Sequence, residues 1–201
     1  MKPIMNPMDE SKYKGRYRIP SARAWWHQYK EGAYYVTICT KNRENYFGRI
    51  EDGVMEMSEM GKCLNDQILL TSEMRADMNV EIPLFSIMPN HVHLIVVIGE
   101  NVYNTPVEYD GAVGDGSRCR DAMLCVSENG NAFSPQSKNL ASIIRGIKIG
   151  TKSYATNNNI EFDWQPRFHD HIIRDIDELN AIAKYIEDNV SNWKEDDFYR
   201  G

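Results

Sequence analysis

Apolar residues along this chain fall into two patterns: short runs rich in β-branched and aromatic residues, and longer stretches in which they recur every three or four positions. The run at residues 34–40 (YYVTICT) predicts a buried strand, and shorter strands are expected at 46–50 and 54–57. Ser58 offers an N-cap for a helix to about residue 70, because Met60, Leu64, Ile68 and Leu69 recur at helical spacing. Residues 80–88 and 91–98 are strand patterns separated by Pro89 and Asn90 alone, the chemistry of a tight turn, and predict a hairpin. From residue 100 to about 135 periodicity is lost and Gly and Asn dominate, so a surface insertion is expected there. A helical pattern returns over 139–155, with Leu140, Ile144 and Ile147 on one stripe and Arg145, Lys148 and Lys152 on another. Gly146 and Gly150, one turn apart, weaken that helix by roughly 1 kcal/mol each but let another backbone approach. Residues 168–173 then alternate as a strand, and Asp175 with Glu178 starts a helix expected to reach Trp193.

This order of elements predicts an α+β fold, an antiparallel sheet with helices packed on one face. The length of 201 residues suits a single domain, expected over 31–201, with residues 1–30 as an N-terminal extension. No run is long and apolar enough for a signal or membrane helix, which predicts a soluble, cytoplasmic protein without a membrane partner. Cys39, Cys63, Cys119 and Cys125 are scattered without CxxC spacing, which argues against a disulfide framework or a cysteine zinc site.

The net charge of −6 excludes a protein that coats nucleic acid indiscriminately, since such binding needs many phosphate-neutralising cations. The distribution changes this picture. Residues 11–30 contain no acid but carry Lys12, Lys14, Arg16, Arg18, Arg23 and Lys30, interleaved with Tyr13, Tyr17, Trp25, Trp26 and Tyr29. That mixture suits a DNA backbone and unstacked bases. Residues 129–160 are equally free of acids and hold Arg145, Lys148 and Lys152, whose stripe is a second candidate for phosphate contact.

The most informative chemistry lies in residues 88–98 (MPNHVHLIVVI). Alternation along a strand projects His91 and His93 from one face while Val92 and Leu94 enter the opposite layer. An HxH pair alone is more often two hydrogen-bonded histidines than a metal site. On the last helix Tyr185 and Asn189 lie one turn apart at the edge of the packed face, where both can reach toward an ion above the sheet. A snorkelling tyrosine beside a surface asparagine is the plainer reading of the same spacing. A tyrosine nucleophile needs activation, because its pKa near about 10 leaves little phenolate at neutral pH. A divalent cation held by His91, His93 and an oxygen ligand such as Asn189 supplies it, and mixed nitrogen and oxygen ligation suits Mg²⁺ or Mn²⁺. A second HxH pair, His169 and His171, is read as supporting residues near the site, with a four-histidine zinc cluster as the alternative.

Three segments together resemble a known family: YYVTICTKNRENYF at 34–47, MPNHVHLIV at 88–96, and WQPRFHDHIIRD at 164–175 followed by LNAIAKYIEDNVSNW at 179–193. They resemble the single-tyrosine HUH transposases, and within them the REP-associated tyrosine transposases. The resemblance implies a ferredoxin-like core whose central strand carries the metal-binding His91 and His93. It also implies Tyr185 as the nucleophile of a 5′-phosphotyrosine intermediate, Asn189 as third ligand, and single-stranded DNA near imperfect hairpins as substrate. The family usually has Asn-Pro after the tyrosine, whereas Val190 follows Asn189 here, so the helix is expected to run on unkinked. Active sites of this type are built from a monomer or a homodimer. Two other readings stay open at this point: a histidine-metal phosphodiesterase that uses water, and a non-catalytic protein that binds hairpin nucleic acid.

Overall fold

The computed structural model describes residues 31–104 and 138–199. The basic stretch with Lys12, Lys14, Arg16, Arg18 and Arg23, most of the 100–135 insertion, and Cys119 and Cys125 lie outside the described residues.

Strand β1 (Gly32–Cys39) leads to a small hairpin, β2 (Gly48–Glu51) and β3 (Val54–Met57), and then to α1 (Glu59–Met74). Ser58 caps α1 as expected, its hydroxyl accepting from the Gly61 amide, and the helix runs one turn past the expected end. The hairpin β4 (Val80–Met88) and β5 (His91–Ile98) turns at Pro89 and Asn90. Helix α2 (Leu140–Asn157), strand β6 (His169–Ile173) and helix α3 (Ile176–Asp188) complete the chain. No helix among the described residues is long and apolar enough to cross a membrane.

Four strands form one sheet in the order β4-β5-β1-β6, every pair antiparallel. With α1 and α2 as the crossovers this is the ferredoxin-like arrangement, with the β2–β3 hairpin inserted after β1. The alternation along each strand decides which face does what. Tyr34, Val36 and Ile38 of β1 and Val92, Leu94, Val96 and Ile98 of β5 enter one core with Leu64 and Ile68 of α1 and Leu140, Ile144 and Ile147 of α2. The opposite face carries a polar row, because the register sets Ser86, His93, Thr37 and His169 side by side on four adjacent strands. Helices on one face is therefore the arrangement of α1 and α2, whereas α3 stands over the histidine face and buries Ile186 there.

Two local expectations are corrected. Helix α3 stops at Asp188 and not at Trp193. Asn189, Ser191 and Asn192 favour turns over helix, and Trp193 packs its ring 6.0 Å from that of His91, so the chain bends toward the sheet without a proline. At Gly146 and Gly150 the close neighbours are side chains, Arg75 and Gln67, and not another backbone.

Candidate active site and metal centre

His91 and His93 are both fully buried, and their Nε2 atoms meet at 2.8 Å. Burial depresses both pKa values, helped at His91 by His93 and Arg43 and at His93 by His169, and brings that of His93 to about 3, so both imidazoles are neutral and offer lone pairs. Partners on the far side fix the rings. Asn90 donates from Nδ2 to the carbonyls of Arg43 (3.1 Å) and Phe198 (2.8 Å), so its Oδ1 faces His91 Nδ1 at 2.8 Å. His91 therefore carries its proton on Nδ1 and presents a bare Nε2 to the site. His93 Nδ1 meets the Tyr35 hydroxyl at 2.7 Å and Thr37 Oγ1 at 3.0 Å.

The third donor comes from beyond α3. Asp196 Oδ2 lies 3.9 Å from His91 Nε2, with its side chain only 3% exposed. His91, His93 and Asp196 form a group whose ligand atoms all lie within 4.8 Å of one another, and such a group can hold a metal ion. Two neutral imidazoles and a buried carboxylate fit Mn²⁺ well and Mg²⁺ less tightly. Burial, opposed in part by the Phe198 amide and Arg43, raises the Asp196 pKa above the ordinary carboxylate value. Asp196 is held by the Phe198 amide, which donates to its Oδ1 at 2.6 Å, and by Arg43, whose guanidinium lies 4.2 Å over the Phe198 ring and donates to the Asp197 carbonyl. Asn42 and Arg43 reach this place through two successive left-handed residues, φ +56° and +57°, a strained bend that the surrounding contacts enforce.

Tyr185 projects from α3 with its ring edge-on to His93, centroids 5.4 Å apart, and edge-on to Tyr35 at 6.3 Å. It is 47% exposed, so its ring is open to solvent on one side. Burial and then the Asp196 charge raise its pKa. Asn189 was expected at a helix edge but is buried, 3% exposed, with its Nδ2 lacking a hydrogen-bond partner among the described residues. His169 packs against Tyr35 at 6.5 Å. His171 turns to Glu178, 2.6 Å away, whose other oxygen accepts from the Arg174 amide and ties β6 to the start of α3. Neither belongs to the close donor group.

On the α2 side, Lys148 donates to the carbonyls of Gln165 and Arg167 and Lys152 to that of Phe162, so these amines brace the segment before β6. Desolvation lowers the Lys148 pKa to about 8. Arg145 stays exposed on the rim of a cavity of about 580 Å³ that Trp164, Arg167 and Phe168 also line.

Tyr35, Thr37, Asn90 and Asp196 were missed by sequence reasoning. The alternation in YYVTICT held a signal for the first two, since every second residue leaves the core for the histidine face. Asp196 had none, standing in an acidic run without period.

These features define an antiparallel α+β domain with a buried histidine-pair centre and an adjoining tyrosine. The chain is 33% identical over 177 residues to an uncharacterized protein of Haemophilus influenzae, covering 84% of this chain and 86% of that protein, and it belongs to the same family. No protein-family profile matches it. A solved structure of a REP-associated tyrosine transposase bound to a REP hairpin shares the fold, with TM-score 0.51 and 19% identity over 86% of this chain and 72% of that one. That neighbour comes from the group of transposases that the sequence motifs resemble.

Proposed function

We propose that the protein cuts and rejoins single-stranded DNA near hairpins as a single-tyrosine HUH enzyme, with Tyr185 as nucleophile and a divalent cation, Mg²⁺ or Mn²⁺, on His91 and His93. The observation that carries this reading is the Tyr185 ring standing edge-on to His93 while still open to solvent. The shared fold with a hairpin-bound transposase supports the DNA substrate. Asp196 completes the donor set as an oxygen ligand, and Asn189 is the ligand that the family resemblance suggests in its place.

A bound cation supplies Lewis acidity, drawing charge from the scissile phosphate and stabilising the departing 3′-oxygen. The residues do the rest. The Tyr185 oxygen attacks phosphorus in line, the bond from phosphorus to the 3′-oxygen breaks, the phenol loses its proton and the leaving oxygen gains one. The 5′-phosphate stays on Tyr185 until another 3′-hydroxyl attacks and rejoins the strand. Lys12, Lys14, Arg16, Arg18 and Arg23 with the adjacent aromatics hold the strand, helped by Arg145, while Lys148 and Lys152 on the same stripe brace the segment before β6.

Incubation with single-stranded hairpin DNA and Mn²⁺ is expected to give a protein–DNA adduct that survives denaturation, and Tyr185→Phe is expected to abolish it. An adduct from Tyr185→Phe removes the nucleophile assignment. Free 5′-phosphate ends with no adduct point to attack by water.

A further inference from the structure

Helix α2 and the segment that leads into β6 enclose a cavity of about 580 Å³ that holds no group of the proposed reaction. Its size falls in the range of roughly 300–1,000 Å³ that suits a small ligand or one unit of a larger one. Trp164 lines it with a ring fixed in advance. The indole Nε1 donates to the Lys148 carbonyl at 3.1 Å, and the ring packs 5.1 Å from that of Phe162 and 5.4 Å from that of Phe47, centroid to centroid. Phe168 lines the cavity too, and so does Ile149, which is 57% exposed despite its apolar bulk.

Charge sorts the possible occupants. Four cations and no carboxylate line the cavity among the described residues. Lys152 is answered by Asp163 at 3.2 Å, but Lys148 stands in no ion pair among the described residues and meets only the carbonyls of Gln165 and Arg167. Desolvation lowers its pKa to about 8, so an anion at this wall relieves a buried charge. Arg145 and Arg167 are exposed at the same cavity, and Arg167 is held in the left-handed region at φ +70°, a cost of the kind that binding sites store. Cations beside fixed aromatic rings suit an anion joined to a flat apolar ring, and a nucleotide is such a group.

The cavity also borders the histidine face. Phe168 directly precedes His169, the first residue of β6, which stands in the polar row beside Thr37 and His93. Strand β6 is an edge of the sheet, so a DNA strand rounding that edge touches the cavity and the tyrosine face in turn. Resting on single-stranded DNA as the substrate, we propose that this cavity takes one unpaired nucleotide away from the point of cleavage, its base stacked on Trp164 and its phosphates held by Arg145 and Arg167. Lys148 keeps Arg167 in place through the Arg167 carbonyl. Such a contact sets the register of the strand, because one base must be unpaired at a fixed distance from the scissile phosphate.

Photocrosslinking of the full chain tests this with single-stranded hairpin DNA that carries 5-iodouracil at one unpaired position at a time, in EDTA so that no cleavage is needed. The expected result is one position that crosslinks to Trp164 or Phe168, mapped by mass spectrometry. Ile149→Glu changes an exposed residue and sets a carboxylate one turn from Arg145. It is expected to leave the Tm in place, weaken binding about tenfold and remove that crosslink. Arg167→Asn tolerates the left-handed backbone, removes the cation, and is expected to lower the slope of log K against log salt by about 1. Crosslinks confined to residues outside the cavity, or wild-type binding by Ile149→Glu, overturn the inference. A Tyr185 adduct in Mn²⁺ without a cavity crosslink overturns the cavity alone. A cavity crosslink in a protein that forms no adduct supports the cavity and overturns the nuclease reading, and no binding to DNA overturns both.

Discussion

At the scale of single residues, the histidine pair sets both the chemistry and a weakness. His91 and His93 remain neutral in the folded chain to well below their ordinary value of 6.5, His93 to about 3, whereas in the unfolded chain both bind protons below that value. The unfolded state therefore takes up protons that the folded state does not. Stability is fully present above about pH 6.5 and is lost as pH falls toward about 3, at a limiting slope of roughly 3 kcal/mol per pH unit for two groups. Urea denaturation of the cation-free protein at pH 7, 6 and 5 is expected to show the midpoint dropping, and a constant midpoint contradicts the burial of neutral imidazoles. Asp196→Asn keeps the acceptor for the Phe198 amide but removes the ligand charge. Cation affinity measured by calorimetry is expected to fall by about 10–100-fold with little loss of thermal stability. An unchanged affinity gives the third position to Asn189.

At the scale of elements, strand alternation places the reactive groups, and helix entry and exit align them. The Ser58 cap, the Asn139–Ser142 capping box and the Asp175 cap start the three helices at the positions their side chains dictate. Helix α1 also depends on a close approach, because a Cβ on Gly61 would overlap the Phe47 carbonyl oxygen, a backbone atom that cannot swing aside. That carbonyl accepts from the Ser58 amide and so links the β2–β3 hairpin to the helix start. Gly61→Ala is expected to destabilise the fold by about 2–3 kcal/mol by overpacking, read as a lowered Tm, despite the better helix propensity of alanine. A stabilised variant would show that the hairpin yields.

At the scale of the whole molecule, a net charge of −6 must coexist with the proposed DNA binding, which on that reading is confined to the basic regions. Lys148 and Lys152 spend their amines on backbone carbonyls, whereas Arg145 is exposed and has no such engagement among the described residues. Arg145→Ala is expected to weaken binding to single-stranded hairpin DNA and to reduce the slope of log K against log salt by about 1. Lys148→Ala is expected instead to lower thermal stability by releasing the segment before β6. Removal of residues 1–30 is expected to lower the salt slope more than Arg145→Ala does, and an equal slope with and without them assigns the strand contact to the domain alone.

The sequence by itself determined the strands, the hairpin at Pro89 and Asn90, the α+β class, and the projection of His91 and His93 from one side of their strand. All of these follow from periods of two and 3.6 and from turn and cap residues, which act over a few positions. Its resemblance over three segments is also what points to Tyr185 as the proposed nucleophile. Only the tertiary structure decided which groups stand around the histidines. Tyr35 and Thr37 arrive by strand register, His169 by the opposite edge of β1, and Asp196 by a bend after α3 that local preferences had extended as helix. Such neighbours are chosen by pairing and packing between residues up to 154 positions apart, as Arg43 and Asp197 are. No local periodicity records that choice.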